Sequence, residues 1–101
     1  MVNTVKLSIE AVASNTGKDL VNVIHHAATH SISYVIDMKQ ASGNMLHFTI
    51  QTTSDKLETL CHRLIGTGLQ LKDNAVDVLM NASGQYSLYR DIHLDLSIQS
   101  F

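Results

Sequence analysis

The sequence predicts an α+β sandwich, with two helices on one face of an antiparallel sheet. Three observations predict it. Apolar residues alternate with polar ones in several separate stretches, the period of a half-buried strand. Two other stretches carry apolar residues at helical spacing. The chain has 101 residues, 45% hydrophobic and 16% charged, which is enough apolar material for one core and argues against disorder.

Val5, Leu7, Ile9 and Ala11 alternate with Lys6, Ser8 and Glu10, predicting a first strand. Ser14-Asn15-Thr16-Gly17 breaks it with turn residues. From Lys18 to Ser31, Leu20, Ile24, Ala27, Ala28 and Ser31 share one helical face, with Thr16 or Asp19 as the start signal. A second strand spans Ile32 to Lys39, with Ile32, Tyr34, Ile36 and Met38 expected on one side. After the turn Ala41-Ser42-Gly43-Asn44, Leu46, Phe48 and Ile50 alternate with His47, Thr49 and Gln51, completing a hairpin.

Thr53-Ser54-Asp55 offers caps for a second helix, and Asp55 with Glu58 has the spacing of a capping box. Leu57, Leu60, Cys61, Leu64 and Ile65 then follow the helical repeat, and Gly66 and Gly68 stop it. Leu69 to Met80 reads as a strand, broken near Lys72-Asp73-Asn74, and Asn81-Ala82-Ser83-Gly84 reads as a turn. From Tyr86 a long last strand alternates Ile92, Leu94, Leu96 and Ile98 with His93, Asp95, Ser97 and Gln99. The order is βαββαβ plus an added C-terminal strand, a ferredoxin-like sandwich forming a single domain over residues 1–101. Its expected core is Leu7, Ile9, Leu20, Ile24, Ala27, Ile36, Phe48, Ile50, Leu57, Leu60, Cys61 and Leu64.

Over roughly residues 4–80 the layout resembles ACT-like regulatory domains. The resemblance lies in the first strand, Asn15-Thr16-Gly17, Leu20 and Ile24 on the helix, and Ile32-Ser33-Tyr34 opening the next strand. The family's loop carries a proline that is missing here, and Leu20 comes one residue late. The resemblance implies a regulatory or ligand-binding module whose small effector sits on Asn15, Thr16, Gly17 and Lys18. A glycine lets backbone approach a ligand there, and free N–H groups at a helix start favour a carboxylate.

Seven Lys+Arg against nine Asp+Glu leave a formal charge of −2, so nothing drives binding to a phosphate backbone. The strand positions that would stack bases, Lys6, Ser8, Glu10, Met45, His47, Thr49 and Gln51, hold no aromatic, so no nucleic-acid partner is expected. One cysteine permits no intrachain disulfide. Residues 1–10 lack the basic and apolar regions of a secretion signal, and no apolar run approaches a membrane span. A cytoplasmic module with no membrane partner is expected.

Six histidines are many for this length, and three lie on the first helix: His25, His26 and His30. His26 and His30 are i, i+4 and face one point, so neutral imidazoles there can take Zn²⁺ or a similar metal. A metal-responsive protein is therefore the alternative function, with a third ligand drawn from His62 or another copy. Cys61 and His62 are adjacent on a helix and diverge by about 100°, which argues against a nucleophile–base pair. Asp77, Asp91 and Asp95 read as solvated surface carboxylates. A third reading is a small enzyme with an interface site built on His47 and His93. No motif names a cofactor, and no constellation requires catalysis. A homo-oligomer, a dimer first, is expected through a C-terminal hairpin over 75–101, because Leu79 beside Met80, and Leu88 beside Tyr89, put apolar residues on both faces.

Overall fold

The strand periods fold into one five-stranded sheet, seen in a computed structural model that describes residues 4–13, 17–41, 45–72, 74–85 and 90–100. The elements run β1 (Val5–Ala13), α1 (Gly17–His30), β2 (Tyr34–Gln40), β3 (Met45–Thr53), α2 (Leu57–Gly66), β4 (Gln70–Leu71), α3 (Ala75–Gln85) and β5 (Asp91–Ser100). The architecture is α+β, with three helices and a mixed sheet in the order β2-β3-β5-β1-β4. Among the described residues no helix is long and apolar enough to cross a membrane.

One face of the sheet is dry. Ile9, Ala11 and Ala13 of β1, Phe48 and Ile50 of β3, and Ile92, Leu94, Leu96 and Ile98 of β5 form a single buried cluster with all three helices. Leu20, Ile24, Ala27 and Ala28 enter it from α1, and Leu57, Leu60, Cys61 and Leu64 from α2. The α1 stripe matches the spacing of the sequence, and the α2 stripe does so except for Ile65, which is exposed at the end of the helix. The other face is open and polar. Register places Lys6, His93, Gln51 and Tyr34 in one row across the strands, Ser8, Asp95, Thr49 and Asp37 in the next, and Glu10, Ser97, His47 and Lys39 in a third.

The C-terminal third departs from expectation. Residues 75–85 form a helix, not a strand and turn. Ala75, Leu79 and Ala82 are buried at i, i+4 and i+7, a helical stripe. Val76, Val78 and Met80 are only half-buried, and their alternation mimics a strand. The strand expected from Leu69 shrinks to Gln70–Leu71.

The last strand is not added at an edge. β5 lies between β3 and β1, antiparallel to the first and parallel to the second, so the sheet is mixed, not antiparallel. Its apolar side chains are among the most deeply buried in the chain. The described residues of 75–101 accordingly form a helix and a central strand, not the hairpin expected to build an interface. Tyr86, Leu88 and Tyr89, on which that expectation also leaned, lie outside the described residues.

Three local corrections bear on surfaces. A β-bulge between Val35 and Asp37 shifts the register of β2 against β3. Tyr34 therefore pairs with Gln51 on the open face, while Met38 pairs with Phe48 on the helix side. Ile36 sits at the bulge and is exposed, not core, and Leu7 is only partly buried. At the start of α2 no capping box forms. A 3₁₀ turn, Ser54–Lys56, leads into the helix, and Thr53 Oγ1 donates to Asp55 instead.

Helix α1 ends in a Schellman arrangement. The Ser33 N–H bonds to the Ala28 carbonyl at 2.8 Å and the Ile32 N–H to that of Thr29 at 3.0 Å. The left-handed position, usually glycine, is occupied by Ile32 at φ 52°, with its side chain 66% exposed. A β-branched residue is strained there. Gly68, at φ 92°, takes the equivalent role after α2 without that strain, as its sequence position suggests.

Candidate functional site

Helix α1 is amphipathic, so burying Leu20, Ile24, Ala27 and Ala28 turns the opposite flank to water. His25, His26, Thr29 and His30 occupy that exposed flank. The His26 and His30 rings lie 4.5 Å apart between centroids, tilted by 30°, and their Nε2 atoms are 3.1 Å apart. The two Nε2 atoms are within hydrogen-bond distance, and the tautomers of the rings set which of them donates.

The same separation suits chelation. A tetrahedral Zn²⁺ with bonds of about 2.0–2.1 Å sets its ligand nitrogens about 3.3–3.4 Å apart. The pair needs to open by only a few tenths of an ångström to hold one ion. His25 lies on the same flank and is no part of the ring contact.

Helix α2 runs alongside and supplies the second wall. A groove of about 340 Å³ is lined by His26, Ala27 and His30 from α1 and by His62, Arg63, Gly66 and Thr67 from α2 and its end. His62 is exposed, and its Nε2 lies 3.9 Å from Glu58 four residues back, a loose ion-pair contact. Among the described residues no three His, Cys, Asp or Glu side chains stand close enough to ligate one ion. The groove therefore presents two closely spaced imidazole nitrogens, with a third imidazole on its wall.

The neighbouring cysteine is not part of this chemistry. Cys61 faces the core, and burial, then the Glu58 carboxylate, raise its thiol above the ordinary value. It is a small hydrophobe, not a nucleophile or thiolate ligand.

The loop expected to take an effector is not brought into view. Asn15 and Thr16 lie outside the described residues, and Gly17 and Lys18 open α1. The open sheet face holds the remaining chemistry. His47 Nδ1 and Ser97 Oγ are 2.7 Å apart, and Thr49 Oγ1 donates to Asp95 at 3.1 Å. His93 stands one row from Asp95, beside Gln51 and two rows from His47, and Asp91 shares the face beyond it. Asp77 is on α3, so the three aspartates form no group. The Ser97–His47 contact was not foreseen in the sequence. Only register puts residues 47 and 97 opposite each other. It lies on an exposed face, and among the described residues no carboxylate is hydrogen-bonded to the imidazole as the orienting group of a hydrolytic triad would be.

Comparison with known proteins gives no match to a family model, to a curated protein or to a solved structure.

Proposed function

We propose that this chain is a small binding module that takes a divalent transition-metal ion in the groove between α1 and α2, through Nε2 of His26 and His30. The carrying observation is the 3.1 Å separation of those two atoms on an exposed helix flank. Ligand imidazoles must be neutral, so acid competes with the metal. Arg63 lines the α2 wall of the groove, and Glu58 stands on the same helix 3.9 Å from the His62 ring. Imidazole donors suit Zn²⁺, Ni²⁺ and Cu²⁺ better than Mg²⁺ or Ca²⁺.

Two nitrogens leave coordination positions for water, for His62 after rotation of its side chain, or for a small ligand that recruits the metal. With water or His62 completing the shell the chain would serve as a metal sensor; with a small ligand it would serve as an effector-binding module of the kind the ACT-like resemblance implies. On that resemblance alone, an effector would also contact Asn15, Thr16, Gly17 and Lys18. The fold supports the comparison in one respect. Without β5 the strand order is β2-β3-β1-β4, the arrangement of a ferredoxin-like unit, into which β5 is inserted.

The test is thermal denaturation of tag-free protein with Zn²⁺, Ni²⁺, Mg²⁺ or none. Zn²⁺ at a hundred times its dissociation constant should stabilise the native state by about 2.7 kcal/mol, and Mg²⁺ should not act. His26→Ala with His30→Ala should abolish the shift. A Zn²⁺ shift that survives the double substitution would place the metal elsewhere.

A further inference from the structure

We propose that β2 is a self-association edge, pairing antiparallel with β2 of a second copy about a two-fold axis at Met38. β2 is the outermost strand, so among the described residues one side of its backbone has no strand partner. Around it Tyr34 is 67% exposed, Ile36 48% and Met38 44%. Unpaired backbone flanked by apolar side chains is a template for another strand.

The register follows from the hydrogen bonding inside the chain. The Ala41 N–H donates to the Met45 carbonyl at 2.9 Å, so residue 41 directs its backbone polar groups inward, toward β3. Antiparallel pairs alternate, and the pairing continues through Gln40↔Leu46, Lys39↔His47, Met38↔Phe48 and Asp37↔Thr49. Lys39 and Asp37 therefore also bond inward. Met38 and Gln40 present their N–H and C=O groups outward.

A two-fold axis at Met38 joins these outward groups. Met38 bonds to the partner's Met38, and Gln40 lies opposite the partner's Ile36. In the same register Asp37 lies opposite the partner's Lys39, and Lys39 opposite the partner's Asp37. Both residues are on the open face, in a closely spaced pair, where opposite charges attract. Charged residues on an edge ordinarily discourage pairing. Here the Asp37-Met38-Lys39 order makes the edge complementary to itself, which a two-fold contact requires. Within one chain Asp37 and Lys39 are 3.9 Å apart and both well exposed, a weak contact that costs little to exchange. The bulge at Ile36 bends the strand, so the pairing runs over Ile36 to Gln40 and no further toward Tyr34.

Sedimentation and light scattering of the full chain test this. The wild-type protein should be dimeric at micromolar concentration. Asp37→Lys sets like charges opposite each other twice and should weaken the dimer by about tenfold or more. Adding Lys39→Asp should restore it. Met38→Pro removes an outward N–H that the chain's own ladder does not use, and should give a monomer with unchanged far-ultraviolet circular dichroism. A monomeric wild-type protein at 100 times that range, about 0.1 mM, would overturn the proposal. So would a dimer that survives Met38→Pro, or a double charge reversal that fails to restore pairing.

Discussion

The inner and outer flanks of α1 and α2 differ in what they can tolerate. Inward, Leu20, Ile24, Leu57, Leu60, Cys61 and Leu64 are fully buried in one cluster shared with β1, β3 and β5. Outward, His25, His26, His30, Glu58, His62 and Arg63 touch mostly water. The inner flank ties each residue to packing, where a lost methylene is felt. The outer flank leaves residue choice free of the core, so a histidine pair can be kept there at little expense in stability. Metal binding on such a surface asks nothing of the fold beyond two adjacent helices.

Substitutions on the two flanks should therefore separate cleanly. Leu60→Ala on the inner flank should destabilise by about 2–5 kcal/mol, read from chemical denaturation. An unchanged midpoint and slope would mean that α2 does not bury this stripe. At the end of α1, Ile32→Gly should relieve the left-handed strain and stabilise by about 1 kcal/mol. A loss of stability there would mean that the Ile32 side chain makes contacts that outweigh its backbone strain. On the outer flank, His26→Ala and His30→Ala should each change metal-free stability by no more than about 0.5 kcal/mol. A larger loss would make the ring contact a structural element and blur the distinction.

Cys61 sharpens the same distinction by pH. Its thiol is raised in the native state by burial and by Glu58, so the folded chain holds the proton more tightly than the unfolded one. The stability this contributes is complete below the unfolded thiol's pKa and is lost as pH rises through the native value. Cys61→Ala should flatten the alkaline fall in denaturation midpoint and leave the midpoint's pH dependence near neutrality unchanged. Unfolding in alkali with an identical slope in both proteins would contradict the assignment.

Much of the first two-thirds of the chain was legible because each element carries a single clear period. The α2 stripe buries Leu57, Leu60, Cys61 and Leu64 but leaves Ile65 exposed, and the β1 and β3 alternation buries Ile9, Ala11, Phe48 and Ile50 while Val5, Leu7 and Leu46 are only partly covered. The last third was not, for two physical reasons. In α3, Val76, Val78 and Met80 supply a strand-like alternation, while the helical stripe is built on the small Ala75 and Ala82 around Leu79. In β5 the alternation identifies a strand with one buried face, but says nothing of its neighbours. Centre or edge is decided by pairing with β1 and β3, which are distant in sequence. The β2 bulge escaped for a similar reason, since Tyr34, Ile36 and Met38 alternate in sequence and the shifted register separates them, while Ile32 stands before the strand in the left-handed cap of α1. Of the site, the i, i+4 relation of His26 and His30 was readable from the helix alone, and His62 was named only as one candidate partner. Its place on the groove wall depends on how α1 and α2 pack side by side.

The most direct test of the central claim is metal stoichiometry. Tag-free protein is equilibrated with Zn²⁺ at neutral pH, dialysed, and assayed for bound metal beside His26→Ala, His30→Ala and the double variant. The account predicts about one ion per chain for the wild type, reduced retention for each single variant, and none for the double. A wild-type protein that retains no metal, or a double variant that retains as much as the wild type, would contradict it.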